Sequence, residues 1–245
     1  MDDPVFWHRL QFAFTATFHY LFPQVSMGLA FLIVVLKAAG RVTKREAYHA
    51  AARFWIRVFG LSFAMGVVTG IPMEFQFGTN WAQFSTKTGG VIGQTLAMEG
   101  IFAFFLESSF LALLVWGERR LGPKRHDAAA MALWIGSWLS AYFIVTTNAF
   151  LQHPVGYAQD AEGKLAIASL TEYLLNPWAL VQYAHTILGA VVTGAFGLTA
   201  VGAFWTLRGE HRDAARATLA TGVIAGLVAS FLVAMPTGHE QARMV

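Results

Sequence analysis

The stretch MEGIFAFFLESSF, residues 98–110, reads as hydrocarbon except for two carboxylates, Glu99 and Glu107. The apolar run around it covers about residues 93–117. That is enough to cross a bilayer core of about 30 Å, which needs roughly 20 residues at about 1.5 Å of helical rise. Comparable runs lie at about 10–37, 54–75, 128–151, 177–206 and 215–236. The expected fold is an all-α integral membrane protein, a bundle of about six transmembrane helices in one domain over 1–245.

Composition points the same way. Of 245 residues, 56% are hydrophobic and 13% charged, where a soluble domain carries about one quarter charged residues. Mean hydropathy is positive. The chain has no cysteine, which excludes disulfides, thiolate metal sites and covalently attached c-type haem. Histidine, methionine and carboxylates remain as candidate metal ligands. The start, MDDPVFWHRL, is acidic and lacks a basic n-region and a small-residue cleavage site, so it is not expected to be a removable signal peptide. The formal net charge of +3 is small and sorts by membrane side, so no nucleic-acid partner is expected.

Thirteen basic residues cluster around alternate connections: Lys37, Arg41, Lys44, Arg45, Arg53 and Arg57; Arg119, Arg120, Lys124 and Arg125; Arg208, Arg212 and Arg216. The opposite side carries four, Arg9, Lys87, Lys164 and Arg243. Positively charged connections stay in the cytoplasm, so both termini are expected outside and the odd-numbered spans run inward. The long outer segment, roughly 152–176, is expected to fold over the outer surface. Pro23 follows His19 by four residues, and its ring crowds the His19 carbonyl, which predicts a kink between His19 and Phe22. Gly66 and Gly70 in the second span, and Gly189, Gly194, Gly197 and Gly202 in the fifth, predict close helix approach.

A charge at mid-span costs about 2.5–3.5 kcal/mol on insertion scales, so every ionisable group at membrane depth is a functional candidate. Glu107 lies eight residues, or about 12 Å, deeper than Glu99, and the two fall on roughly one side of the helix. With Ser108 and Ser109 beside Glu107, the pair reads as a proton track; the plainer alternative is two neutral acids bonding neighbouring helices. His19 and His185 occupy comparable depths on the outer halves of the first and fifth spans. A neutral imidazole there suits haem iron, although a histidine bonded to a nearby carbonyl would look the same. His49, His126 and His211 fall in the basic connections and are expected to be solvated, with His8, His153 and His239 near the outer surface. The 21 Phe and 8 Trp are core or lipid-facing material that could also wall a macrocycle.

Several of these stretches are longer than chance composition explains: RLQFAFTATFHYLF (9–22), MEFQFGTNW (73–81), EGIFAFFLESSF (99–110), and LNP (175–177) followed by HT (185–186). They resemble subunit I of the cytochrome bd quinol oxidases, and Asn148, Gln152 and Pro154 fit the same pattern. The resemblance implies a terminal oxidase of a bacterial cytoplasmic (inner) membrane that oxidises quinol at the outer side and reduces O2 to water with cytoplasmic protons. By that likeness His185 matches the axial ligand of a low-spin haem b. His19 matches a ligand in the pair formed by high-spin haem b and haem d. Glu99 matches the acid beside that pair, and Glu107, Ser108 and Ser140 match members of the proton path. Subunit II and small single-span subunits are the implied partners.

The family continues into an outer quinol-binding loop and further spans where this sequence ends in GHEQARMV (238–245). The second ligands expected for the haems are therefore not among these residues, and Met235 is expected to be packing rather than a substitute. Two alternatives stand beside the oxidase reading: a shortened relative that binds haem or quinone without reducing oxygen, and a proton-coupled transporter in which Glu99 and Glu107 bind the ion. Bands of haem b with a chlorin, haem b alone, or no chromophore would separate the three.

Overall fold

Asp3 begins the first helix: its carboxylate accepts from the Val5 amide at 2.9 Å, and Pro4 occupies the first turn, where no amide hydrogen is needed. The computed structural model describes residues 3–244; Met1, Asp2 and Val245, at the ends of the expected domain, lie outside the described residues. Helix α1 spans Pro4–Thr43 and passes through Pro23 without a break. Helix α2 spans Glu46–Thr79. Helix α3, Ala82–Met98, continues through a π-helical turn, Glu99–Phe104, into α4, Phe105–Trp116. Helix α5, Glu118–Gln152, includes a break at Gly122 (φ 70°) before Pro123. The antiparallel strands β1, Tyr157–Gln159, and β2, Leu165–Ile167, lead to the short helix α6, Leu170–Leu174. Helix α7 is Pro177–Arg208, and α8, Arg212–Leu232, passes through a second π-helical turn, Val233–Thr237, into α9, Gly238–Met244.

Among the described residues, six helical runs are long and apolar enough to cross a membrane, and each expected stretch falls inside one of them except for Gly117, which follows the third. The protein is thus a multi-pass helical membrane protein. Its helices extend beyond the hydropathic stretches because charged residues at their ends are also helical. Such residues belong at the water interface rather than outside the helix.

The core gathers on α1. Leu29, Leu32, Ile33 and Leu36 pack against Trp55, Ile56 and Phe59 of α2, Leu133 of α5 and Leu198 of α7, all at most 4% exposed. Small residues set the closest crossings. A Cβ on Gly28 would lie 2.0 Å from the Ala190 carbonyl oxygen, so α1 and α7 meet backbone to backbone there. A Cβ on Gly202 would come within 2.6 Å of the Leu219 amide, which pins α7 to α8. Gly197, by contrast, faces open space, so the close approach expected there is absent.

The long segment between α5 and α7 folds back onto the ends of the helices. Gly90 of α3 lets the hairpin strand approach until a Cβ would stand 2.4 Å from the Leu165 carbonyl oxygen. Tyr173 of α6 is fully buried with Val91 and Phe150. At the opposite end His126 departs from expectation: it is 2% exposed rather than solvated. Its Nδ1 meets the Lys37 ammonium at 2.8 Å and its Nε2 meets the Leu114 carbonyl at 2.8 Å. Partners on two other helices draw it inward.

Candidate functional site

The two acids line a seam between the π turn with α4 on one side and α5 on the other. Helical rotation of about 100° per residue would leave residues eight apart about 80° from alignment. The π turn accommodates one extra residue and takes back roughly that same 100°, so Glu99 and Glu107 come to within about 20°. Glu99 Oε1 accepts from the Ser140 hydroxyl at 2.7 Å. Glu107 is 6% exposed and packs where α5 has only Gly136; a Cβ there would lie 3.2 Å from the Glu107 amide. Ser137, 2% exposed, stands beside the Glu107 carboxyl. Since Gly136, Ser137 and Ser140 share one face of α5, both acids look onto the same strip. Ser108 does not join it: its hydroxyl donates to the Phe105 carbonyl of its own helix at 3.2 Å.

The polar strip continues by one turn toward the hairpin end of the bundle. Thr95, fully buried, sits 2.6 Å from the Thr147 hydroxyl and 3.1 Å from the Tyr173 hydroxyl. Glu74 of α2 stands within electrostatic reach of Glu99. Neither Ser137 nor Glu74 was singled out from sequence. Glu74 carried a signal, an acid near the end of an apolar run, while Ser137 carried none until its helix face was known.

The two imidazoles are held alike. His19 Nδ1 lies 3.1 Å from Thr69 Oγ1, and the Thr69 proton is committed to the Met65 carbonyl at 2.8 Å. Thr69 therefore accepts from His19 Nδ1–H, and the lone pair is on Nε2. His185 Nδ1 lies 3.2 Å from Thr237 Oγ1, which donates back to the Leu232 carbonyl at 3.2 Å. The same argument leaves the His185 lone pair on Nε2. Both rings are half-buried. Among the described residues no three histidine or carboxylate groups converge as a metal-ion cage. Haem iron asks for less, one fixed imidazole with a free Nε2 on a given side, and each histidine meets that requirement. Among the described residues no hydrogen bond joins His19 to His185 or either to the acids.

An amide chain lies one turn from His185 toward the start of α7. Asn148 donates to Gln182 at 3.1 Å, and Gln182, 5% exposed, donates to Gln152 at 2.8 Å, tying α5 to α7. Asn176 of the LNP motif caps α7: its side-chain oxygen accepts from the Trp178 amide at 3.0 Å while its Nδ2 donates to the His153 carbonyl at 2.9 Å. Pro177 takes the first helical position. The motif thus fixes the start of the helix that carries His185. Met235 sits in the second π turn and is 62% exposed.

Over residues 7–245 the sequence matches the family described as Cytochrome bd terminal oxidase subunit I. It is 39% identical to the cytochrome bd-II ubiquinol oxidase subunit 1 of Escherichia coli, over 94% of this chain and 45% of that protein. It is also 39% identical to the cytochrome bd ubiquinol oxidase subunit 1 of Bacillus subtilis, over 96% of this chain and 50% of that protein. The fold is similar to the bd oxidase structure from Geobacillus thermodenitrificans, with a TM-score of 0.92 and 29% identity, covering 99% of this chain and 56% of that one. The chain spans about half the length of the curated relatives it matches. It belongs to the cytochrome bd terminal oxidase subunit I family.

Proposed function

We propose that the chain is a haem-bearing part of a quinol-oxidising, O2-reducing bd-type oxidase of a bacterial inner membrane. His185 would hold a low-spin haem b and His19 a high-spin haem of a haem b and haem d pair. Glu107, Ser108, Ser140 and Glu99 would carry protons toward that pair. The observation that carries this reading is the fixed state of the two imidazoles: Nδ1 engaged by threonine, Nε2 free. When bound, haem supplies iron that receives electrons from quinol and delivers them to O2.

The chain's own residues then have three tasks. His19 and His185 present a lone pair in a set direction, because a ring held through Nδ1 cannot turn without losing its bond. The seam between α4 and α5 relays a proton from the Glu107 carboxyl, past Ser137, to the Ser140 Oγ–Glu99 Oε1 bond, each group supporting the next step by proximity rather than by net charge. Ser108, one residue beyond Glu107, enters the relay by exchanging its bond to the Phe105 carbonyl. The apolar walls exclude water that would let protons arrive from the outer side. Subunit II, small single-span subunits and the quinol site complete the proposed assembly, with second haem ligands supplied from beyond these residues.

The test is a reduced-minus-oxidised optical spectrum of the complex purified with this chain. Haem b and chlorin bands are expected. His185→Ala should abolish the low-spin haem b signal and leave the high-spin signals in place. An unchanged low-spin band removes His185 from the ligand role, and a colourless wild-type complex sinks the reading altogether.

A further inference from the structure

We infer that two Thr–Gly dipeptides, Thr69–Gly70 of α2 and Thr237–Gly238 at the end of the second π turn, are matching seats that orient the axial imidazoles and tune the bound iron. The inference rests on the reading of His19 and His185 as haem ligands and extends it to residues that would act through those histidines.

The two seats lie on different helices and face different histidines, yet the parts recur in the same order. In each, the threonine hydroxyl accepts from Nδ1–H, at 3.1 Å from His19 and 3.2 Å from His185. In each, the threonine returns its own proton to its helix. Thr69 reaches the Met65 carbonyl at 2.8 Å and the Gly66 carbonyl at 3.1 Å; Thr237 reaches Leu232 at 3.2 Å and Val233 at 3.4 Å. That double role leaves the hydroxyl oxygen no way to act as donor toward the ring, so it selects one tautomer.

The glycines then clear space. A Cβ on Gly70 would lie 3.0 Å from His19 Cε1, tight enough to displace the ring. A Cβ on Gly238 would stand 3.7 Å from His185 Cε1 but 2.5 Å from the Val233 carbonyl oxygen, so this glycine preserves the π turn that presents Thr237. The turn matters because the Thr237 bond to Leu232 reaches five residues back, the spacing of a π rather than an α ladder.

A hydroxyl is a weaker acceptor than a carboxylate. It fixes the ring while pulling little on the Nδ1 proton, so the imidazole stays a moderate donor to iron. Thr69 and Thr237 are positioning residues in this account, and their signature is a shift in reduction potential confined to one haem.

The experiment is an optical redox titration of the assembled complex with Thr237→Val, Thr237→Ser and Thr237→Asp, and Thr69→Val as the crossed control. Thr237→Val removes the acceptor at constant shape; it should keep the low-spin haem b and raise its midpoint potential, because the ferric state loses ligand donation. Thr237→Ser should restore the wild-type potential, and Thr237→Asp, a stronger acceptor, should lower it. Thr69→Val should leave the low-spin potential in place and move a high-spin centre. Unmoved potentials in Thr237→Val, or equal shifts of all haems, overturn the inference. Should Thr237→Val not assemble, an unchanged potential in Thr237→Asp overturns it equally. Failure of the underlying reading is distinguishable, since His185→Ala would then retain low-spin haem b.

Discussion

Lys37 shows what one buried charge can organise. At 6% exposed, its ammonium donates to His126 Nδ1 at 2.8 Å and pairs with Asp127 at 3.1 Å. An ammonium has no lone pair, so His126 Nδ1 must accept and Nε2–H must donate to the Leu114 carbonyl. Leu114 lies in the last turn of α4, where carbonyls have no partner within the helix. The histidine is thus a cap for α4 supplied by α5 and held in its tautomer by α1. Lys37→Met would leave the His126 Nδ1 acceptor unpaired and Asp127 with only its more exposed Arg41 partner, a change expected to cost about 3 kcal/mol. Arg41, which also pairs with Asp127 but is 44% exposed on its side chain, should cost under about 1 kcal/mol on the same change. Thermal unfolding of the two variants in detergent checks this, and equal losses would show that the buried contact contributes no more than the surface one. Nothing in the local sequence around His126 separates it from a solvated residue, because its partners are 89 and 12 residues away.

Helices declare themselves more openly than contacts. Six apolar runs are visible in composition because lipid requires about 20 of them in a row, and those runs locate every long helix. The outer hairpin was legible only as a segment with nowhere else to go. The π turns at Glu99–Phe104 and Val233–Thr237 left no sequence signal, since one inserted residue changes angular register and not hydropathy. Yet each lies where the candidate site needs a side chain rotated: one aligns Glu99 with Glu107, the other presents Thr237 to His185. Inserting one alanine after Gly100, where a side chain would meet open space, adds a residue beyond the one the first turn takes back and should rotate Glu99 by about 100° relative to Glu107. The Ser140–Glu99 bond would break while the helix survives. Oxygen consumption should then fall about a hundredfold, the scale of loss for misplaced reacting groups, with the low-spin haem b spectrum intact. A wild-type rate would mean that alignment of the two acids is not what the π turn provides.

The distribution of polar groups across the bundle gives the proposed chemistry its direction. The Lys37 cluster and the basic connections lie at one end; the hairpin, Tyr173, and the candidate haem seats lie toward the other. The run from Ala82 to Trp116 has 12% of its apolar window buried within the chain, against 50% for the first helix. The helix that carries both acids is thus the one its own chain covers least. If the thirteen basic residues of the alternate connections face the cytoplasm, Glu107 lies on the proton-supplying side and His185 on the quinol side, and chemistry drawing on both generates a potential without a pump. The reverse orientation would have the relay draw protons from outside and dissipate it. Because the chain has no cysteine, one introduced thiol at a time reports its own side. Ala161→Cys, exposed in the hairpin turn, should react with a membrane-impermeant maleimide on intact spheroplasts. Glu210→Cys, exposed between α7 and α8, should react only after permeabilisation. Both variants should keep the haem spectrum, so that labelling reads orientation and not unfolding. Labelling of position 210 from outside with position 161 protected would reverse the bundle and with it the direction assigned to the proton relay.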